Sequence, residues 1–230
     1  MITFRNVDIE TAVPGIKIED IRVSPIQLSP TVRPRPIFAG SDFVRMVQGI
    51  RTVEITFGII KQDPDQRRQA IARLTEWARS DTPQPLALPY HEGKLIDVIC
   101  TALPEPSTRQ WWESRLSLTF TAYDPFFYSE TEKSAACGTA FSVAGDAPPK
   151  MRITGSGGGS RSYSDGTNTM TFSSVPSGNM VIDLNRQTAT VGGSSIMQYY
   201  SFSSSFIIPR TGTMTITGSG TVYWRERWEG

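Results

Sequence analysis

The sequence predicts a mainly β protein with one packed α-helix, arranged as two domains. Three observations favour this class: period-two apolar patterns through about the first 130 residues, one capped amphipathic helix among them, and a second half rich in Ser, Gly and short apolar runs. We place the boundary so that residues 1–133 form an N-terminal domain and residues 134–230 form a C-terminal domain.

Strands are expected in the N-terminal half wherever apolar and polar residues alternate. Alternation at period two is typical of a strand with one face on a core. The segments with this pattern are 16–23, 53–59, 96–100 and 116–122. The first of them is interrupted at Glu19-Asp20, where we expect a kink.

One helix is predicted from Pro64 to about Arg79. Asp63 is suited to cap it, Pro64 suits the first helical position, and Gln66 occupies the third position after the cap, as in a capping box. One side of the helix is an apolar stripe that we expect to pack on a sheet, formed by Ala70, Ile71, Leu74, Trp77 and Ala78.

Residues 31–50 are poor core material, because prolines, glycines and arginines separate their apolar residues. Two interpretations stay open: a long hairpin or arm that contacts another chain, or a mobile loop. If it is an arm, the candidate contact residues are Arg33, Arg35, Ile37, Phe38, Phe43 and Arg45. Together with Arg51, the arginines of this region fit a solvated loop better than a track for phosphates.

The C-terminal half predicts an antiparallel β-sandwich. Short apolar runs are separated by Gly, Ser and Asn, which is typical of strands joined by tight turns. One such turn is expected at 183–188, and one of the runs is Phe206-Ile207-Ile208. We interpret the glycine-rich segment 155–160 as a flexible loop, because turn-like sequence follows it and a phosphate loop needs a helix there.

Composition and motifs argue against catalysis. Lys and Arg total 23 against 22 Asp and Glu, so charge favours no particular partner. His91 is the only histidine and lies in a predicted turn, and the spacing of Cys100 and Cys137 matches neither a zinc knuckle nor a redox pair. We therefore predict no enzyme, no cofactor and no metal. The sequence also lacks a signal peptide and a membrane-spanning run, so we expect a protein synthesised in the cytoplasm.

An alternative function rests on aromatic residues in the C-terminal half. Tyr199, Tyr200, Trp224 and Trp228 could stack on sugar rings, which would make this half a carbohydrate-binding module for host cell-wall glycans. Aromatic side chains are also enriched where one protein contacts another. Trp111-Trp112 is a second aromatic pair, in which one ring is expected in the core and the other at a surface or interface.

The order of these parts resembles the distal tail (Dit) proteins of long-tailed bacteriophages. In the N-terminal half the resemblance involves the strand around Arg51–Phe57, the helix with Leu74 and Trp77, and the closing segment Tyr123-Asp124-Pro125-Phe126. In the C-terminal half, 181–184 followed by 188–191 is similar to the galectin-like sandwich of that family. The resemblance covers nearly the whole chain through element order rather than one sharp motif.

The resemblance implies a structural role in the virion, at the tip of the phage tail. It implies an N-terminal domain of β-sandwich or barrel-like form that builds a homo-hexameric ring, with C-terminal domains at the periphery. The implied partners are the tail tube protein, the tape-measure protein and the tail-tip hub protein, with DNA only in transit through the channel and no membrane contact. Receptor-binding or baseplate proteins are implied as partners of the C-terminal domain.

Overall fold

The structure, a computed structural model, describes residues 1–34, 41–60, 63–103, 107–110 and 113–230. The chain divides into two compact units, which we call unit 1 (Met1–Phe127 with Gly230) and unit 2 (Tyr128–Glu229). Both units are built mainly from antiparallel strand pairs. No helix within the described ranges has the length and apolar character needed to cross a membrane.

Unit 1 consists of ten strands and two helices within its described residues. In chain order they are β1 (Thr3–Phe4), β2 (Val7–Asp8), α1 (Ile9–Ala12), β3 (Ile16–Val23), β4 (Leu28–Pro34), β5 (Ser41–Gln48), β6 (Arg51–Ile60), α2 (Pro64–Ala78), β7 (Gln84–Ala87), β8 (Lys94–Ala102), β9 (Ser107–Gln110) and β10 (Glu113–Ala122).

The main sheet of unit 1 has the order β3-β6-β10-β8, with β7, β1 and β2 added beyond β8 and with β9 also paired to β10. All of these pairings are antiparallel. The register of β3 against β6 shifts between Ile18 and Asp20, so Glu19 is a bulge residue. The predicted kink at Glu19-Asp20 is therefore confirmed.

Helix α2 covers one face of this sheet. Asp63 caps it by accepting a hydrogen bond from the backbone N–H of Asp65 at 2.9 Å, and the helix ends at Ala78, one residue before the predicted end. The ring of Trp77 lies edge-on to Phe4 and Phe120, with centroids 5.6 and 6.3 Å away. Its indole N–H donates to the backbone carbonyl of Val7 at 3.0 Å. This aromatic cluster joins the helix to the sheet and to the N-terminal strands.

Unit 2 follows, and its strands are two to ten residues long. They are β11 (Phe127–Ser129), β12 (Lys133–Ala136), β13 (Ala140–Val143), β14 (Ala147–Ser156), β15 (Gly159–Ser164), β16 (Thr169–Val175), β17 (Asn179–Asp183), β18 (Thr188–Val191), β19 (Ser194–Ser195), β20 (Gly212–Thr215) and β21 (Thr221–Trp228), with a short 3₁₀ helix at Met197–Tyr199. The division between the units falls inside β11.

The sheet of unit 2 runs β19-β18-β17-β14-β21-β12, and two further antiparallel pairs, β13-β20 and β15-β16, complete the unit. Their apolar faces form one core that includes Met151, Phe172, Ile182 and Trp224. The predicted turn at 183–188 is confirmed, because β17 and β18 pair antiparallel on either side of it.

The mainly β class is confirmed, and several details differ from the prediction. Residues 206–208 form no strand, although Ile207 is buried in the core of unit 2. The N-terminal elements β1, β2 and α1 were missed, because two-residue strands and a four-residue helix are too short to show a period. Of the glycine-rich residues 155–160, predicted as a flexible loop, all but 157–158 belong to β14 or β15, and Arg161 donates to the carbonyls of Ser156 and Gly157 at 2.9 and 3.1 Å.

Candidate self-assembly surface

Strands β4 and β5 form a two-stranded ribbon, which we call the arm. They pair antiparallel from Leu28 opposite Gln48 to Pro34 opposite Ser41, with a bulge between Thr31 and Val32. The arm continues the pairing of β3 with β6, because the backbone N–H of Gln27 donates to the carbonyl of Ile50 at 3.2 Å. The main sheet therefore holds the base of the arm.

One face of the arm is apolar and exposed, and the other face is mainly polar. Directly opposed residues of an antiparallel pair share a face, so Leu28 and Met46 lie on one face and Val47 lies on the other. Each of the apolar residues in the following set has between 39% and 58% of its surface exposed: Leu28, Val32, Val44, Met46 and Val47. The face with Leu28, Val32 and Met46 is an uncovered apolar surface of the kind that marks candidate protein contacts, whereas Val47 lies opposite Ser29 on the more polar face.

The predicted arm residues fall partly within this ribbon. Arg33 lies opposite Asp42 and Phe43 lies opposite Val32 in the register, while Arg45 is exposed and lies opposite Thr31. The remaining three, Arg35, Ile37 and Phe38, lie outside the described residues. Of the two interpretations of residues 31–50, the described part favours the hairpin.

Four exposed apolar residues of the arm were missed by the sequence argument: Leu28, Val32, Met46 and Val47. A signal for them was present. Leu28, Pro30 and Val32 alternate with polar residues, and Val44 and Met46 do the same on the returning strand. The prolines and arginines of the segment obscured this alternation, because they are unusual in strands with a buried face.

Arg51 does not belong to the arm, which corrects its grouping with the arginines of a solvated loop. It is the first residue of β6 and only 4% exposed, and its guanidinium carbon lies 5.3 Å from the centre of the Phe127 ring. The buried position suits Arg51, because a planar guanidinium packs well against an aromatic face.

The sheet face opposite α2 is lined with hydroxyl and charged groups. Two hydroxyl pairs bridge neighbouring strands, Thr56 with Ser117 at 3.2 Å and Thr101 with Thr121 at 2.9 Å. The arginines of this face lie beside acids, with Arg22 at 2.7 Å from Asp20 and Arg115 at 2.8 Å from Glu19. Paired arginines of this kind hold a polyanion less strongly than an unbalanced basic groove.

In the described part of the chain, the side chains that could bind a metal ion do not cluster. Among the residues that the structure describes, no group of three or more His, Cys, Asp or Glu side chains is arranged to hold a metal ion. Burial raises the pKa of the Cys100 thiol, and likewise that of Cys137, which disfavours the nucleophilic thiolate at both positions.

His91 lies in the predicted turn, between β7 and β8. Its ring stacks on Phe127 with 4.1 Å between centroids and 25° between planes. Burial lowers its pKa, and the positive charges of Lys94 and Arg51 lower it further. The imidazole is thus a packing group that favours its neutral form.

The aromatic residues considered for sugar binding do not form one surface. Trp224 is 4% exposed and stacks on Phe141 in the core, with 4.5 Å between ring centroids. Tyr200 lies between Phe172 and Phe206, at 5.3 and 4.8 Å. Trp224 is therefore a core residue, which removes one of the four rings from the carbohydrate interpretation. Trp111 and Trp112 lie outside the described residues.

No protein-family model matches the sequence, and no curated protein matches it. Solved structures do match. The crystal structure of SPP1 Dit (gp 19.1), described as a paradigm of the hub adsorption apparatus in Gram-positive infecting phages, is similar with a TM-score of 0.71 at 15% identity, over 98% of both chains.

Weaker similarity is found to chains of the phage P2 baseplate in its activated conformation. The structure with Ca matches at a TM-score of 0.44 and 9% identity, over 98% of this chain and 97% of that chain. The structure with Sr matches at a TM-score of 0.41 and 9% identity, over 92% and 90%. From the SPP1 comparison, which spans both units, we conclude that the chain has the Dit fold, as the order of its elements predicts.

Proposed function

We propose that this chain is a structural protein of a bacteriophage tail, a distal tail adaptor without enzymatic activity. In this proposal six copies form a ring at the tail tip, which links the tail tube and tape-measure proteins to the tail-tip hub and lets DNA pass. The full-length similarity to SPP1 Dit supports the tail role. The ring, its partners and the channel are inferred from the surfaces of unit 1.

The observation that carries the proposal is the exposed apolar face of the arm. Burying one aliphatic side chain stabilises a contact by about 1.5–3 kcal/mol. Leu28, Val32 and Met46 are 51–58% exposed, so the described part of the chain leaves much of this apolar face uncovered. A second copy of the chain can cover the exposed face, and repeated head-to-tail contacts of this kind close into a ring when their rotation permits.

The paired charges of the opposite sheet face support the passage of DNA. A channel that captured phosphates would retain the DNA, and a basic lining would do so. On this face Glu19 lies beside Arg115 and Asp20 beside Arg22. Arg51 is buried, so it supplies no charge to any channel.

Light scattering and native mass spectrometry of the purified full chain, across a range of concentrations, test the assembly. We expect the wild type to be a hexamer, seen as rings by negative-stain microscopy. The double variant Val32→Asp with Met46→Asp should dissociate to monomers, because each carboxylate would have to enter an apolar contact. Both positions are exposed, so circular dichroism should show that the variant stays folded.

A matched control is Ile208→Asp, which places the same charge at an exposed aliphatic position of unit 2. It should leave the hexamer intact. A wild-type protein that remains monomeric at high concentration would contradict the proposal, and so would a hexamer that persists in the double variant. Open filaments would show that the contact exists but that its rotation does not close.

The carbohydrate-binding alternative is not carried forward, because Trp224 is a core residue.

A further inference from the structure

A polar groove lies where three turns of unit 2 meet. The turns connect β14 to β15, β16 to β17 and β20 to β21. The backbone N–H of Gly157 in the first turn donates to the carbonyl of Gly178 in the second at 2.7 Å. A Cβ on Gly155 would lie 2.8 Å from the carbonyl oxygen of Ser219 in the third. The turns therefore pack closely on one another, and turns held by a rigid scaffold are a common location for a binding site.

The walls of the groove are polar. Its volume is about 560 Å³, within the range of sites that bind small molecules. The side chains of Thr154, Ser156, Ser219 and Thr221 contribute hydroxyl groups, and Asn179 adds an amide. Among the described residues that line the groove, none has an apolar or aromatic side chain. Neither an acyl chain nor a planar ring therefore has a surface to pack on.

Arg161 supplies the charge of the groove. Its Nε and Nη2 donate to the carbonyls of Ser156 and Gly157 at 2.9 and 3.1 Å, which fixes the guanidinium beside the first turn. Other cations of unit 2 have acidic partners, as Arg152 has in Glu132 at 2.8 Å. Within the part of the chain that the structure describes, no carboxylate forms an ion pair with Arg161. This uncompensated charge favours an anionic ligand.

A buried hydroxyl lies next to the groove. Tyr163 is 1% exposed, and its Oη lies 3.5 Å from the position that a Cβ on Gly155 would take. To the described residues this hydroxyl makes no hydrogen bond of good geometry, although the Ser219 side chain lies close to it. Burial raises its pKa, so the hydroxyl stays protonated and can donate. A buried donor without an acceptor is costly, and a ligand oxygen between Gly155 and Ser219 would supply one.

This set of groups matches a phosphate ester of a small polyol. The guanidinium can pair with the phosphate, while hydroxyl and amide side chains can exchange hydrogen bonds with the polyol. A single arginine suits one phosphate better than a nucleic-acid strand, which needs a row of cations and rings for its bases. The site differs from a phosphate loop, because its charge comes from Arg161 and no helix follows the glycines.

We propose that this groove binds a phosphate ester of a small polyol, with the phosphate on Arg161 and the polyol on the Ser and Thr hydroxyls. Tyr163 donates a further hydrogen bond from beneath. The same headgroup chemistry occurs in phospholipids, but the polar lining favours a soluble ester. The proposal does not depend on the ring, because all of its residues belong to unit 2. One charged contact and a few neutral ones predict weak binding, with a Kd of about 1 mM.

The test uses the full chain and saturation-transfer difference NMR, with glycerophosphoglycerol as the probe. Glycerol and inorganic phosphate are the comparison ligands, and each should bind at least tenfold more weakly than the diester. Arg161→Gln should weaken binding of the diester about 10- to 100-fold, because it removes a charged hydrogen bond. Arg186→Gln is the matched control, since it removes an exposed charge from another turn of unit 2, and it should leave the affinity unchanged.

A second variant leaves the contacts of Arg161 with the first turn intact. Tyr163→Phe should weaken binding about 2- to 10-fold through loss of one neutral hydrogen bond. Its free energy of unfolding should be unchanged or higher without ligand, because the hydroxyl lacks an acceptor in the described chain. Unchanged affinity together with lower stability would mean that the hydroxyl serves only the fold, and would overturn its assigned role.

Four results would overturn the proposal as a whole. They are absence of diester binding at millimolar concentration, equal affinity for inorganic phosphate, equal losses in Arg161→Gln and Arg186→Gln, and binding to phosphatidylglycerol vesicles without binding to the soluble diester. The last of these would identify a lipid headgroup as the ligand. Native mass spectrometry separates this proposal from the ring, because both arginine variants should keep the oligomeric state of the wild type, whatever that state is.

Discussion

Glu19 and Arg115 form an ion pair across an intervening strand, with 2.8 Å between Glu19 Oε2 and Arg115 Nε. Glu19 is the bulge residue of β3 and Arg115 lies on β10. Between them on β6 lies Gly58, opposite Lys17 on one side and Arg115 on the other. A methyl group at position 58 would lie 2.6 Å from Glu19 Oε1. Because Gly58 has no side chain, the Glu19 carboxylate has room to pass over it and reach Arg115.

Replacement of Gly58 by Ala should displace the Glu19 carboxylate and weaken this ion pair. Since both side chains are partly exposed to solvent, we expect a loss of about 1 kcal/mol or less in the free energy of unfolding. Urea denaturation of Gly58→Ala, Glu19→Ala and the double variant measures the coupling. In the Glu19→Ala background, Gly58→Ala should be neutral or slightly stabilising. Equal losses in both backgrounds would contradict this account.

Trp77 should be the most sensitive position of helix α2. It is 4% exposed, so Trp77→Ala should lower the free energy of unfolding by about 3–5 kcal/mol. Trp77→Phe keeps a ring but removes the donor to the Val7 carbonyl, which should cost about 1 kcal/mol from the hydrogen bond alone. Urea denaturation ranks the variants, with exposed Glu76→Ala as the control. A Trp77→Ala loss as small as that of the control would refute the packing described above.

Acid should destabilise unit 1 through His91. Its pKa in the folded state is lowered by burial and by the charges of Lys94 and Arg51. The unfolded chain, with the ordinary value of about 6.5, therefore binds the proton more readily than the folded chain. Stability is unaffected by this group above about pH 6.5 and falls as the pH drops below that value.

The comparison that isolates His91 is with His91→Phe, which keeps a ring against Phe127 but cannot titrate. Urea denaturation at pH 7.5 and pH 5.5 should show a larger loss on acidification for the wild type than for the variant. Carboxylates elsewhere contribute equally to both proteins and cancel in the difference. Identical losses in the two proteins would mean that protonation of His91 does not oppose folding.

Glu226 should stabilise unit 2 although it is a buried acidic residue. It is buried on the core face of β21, where its Oε1 accepts from Lys133 Nζ at 2.7 Å and from the backbone N–H of Ala144 at 3.0 Å. Glu226→Ala leaves the Ala144 N–H and the Lys133 ammonium without this charged acceptor and should cost about 2 kcal/mol. Exposed Glu130→Ala is the control and should have little effect. A near-zero change in Glu226→Ala would show that the site relaxes or admits water.

Much of the fold was predictable because its signals are local. The cap at Asp63 and the stripe ending at Ala78 define α2 within a few turns of chain, and the central strands carry their own period-two pattern. Glu226 was not predictable in the same way. Its alternation with Val222 and Trp224 places it on the core face, yet only the neighbouring strands provide Lys133 and Ala144 as its partners.

The candidate site was predictable only in outline. Composition identified residues 31–50 as unsuited to a core, but it could not choose between a loop and an arm. That choice depends on the pairing of β4 with β5 and on the sheet that holds their base. Arg51 illustrates the same limit, because the sequence grouped it with solvated arginines although it is buried. Its local sequence does not distinguish it from the arginines of residues 31–50. Its burial against Phe127 depends on a contact between residues far apart in the chain.

The mainly β class, the position of the long helix, the strand patterns and the resemblance to the distal tail proteins were predictable, because each depends on neighbouring residues or on element order. Which side chains stay uncovered, such as those on the apolar face of the arm, became clear from the tertiary structure. Exposure depends on everything else that packs around a residue. Periodicity predicts that a strand has two faces, but only long-range packing decides whether either face is covered.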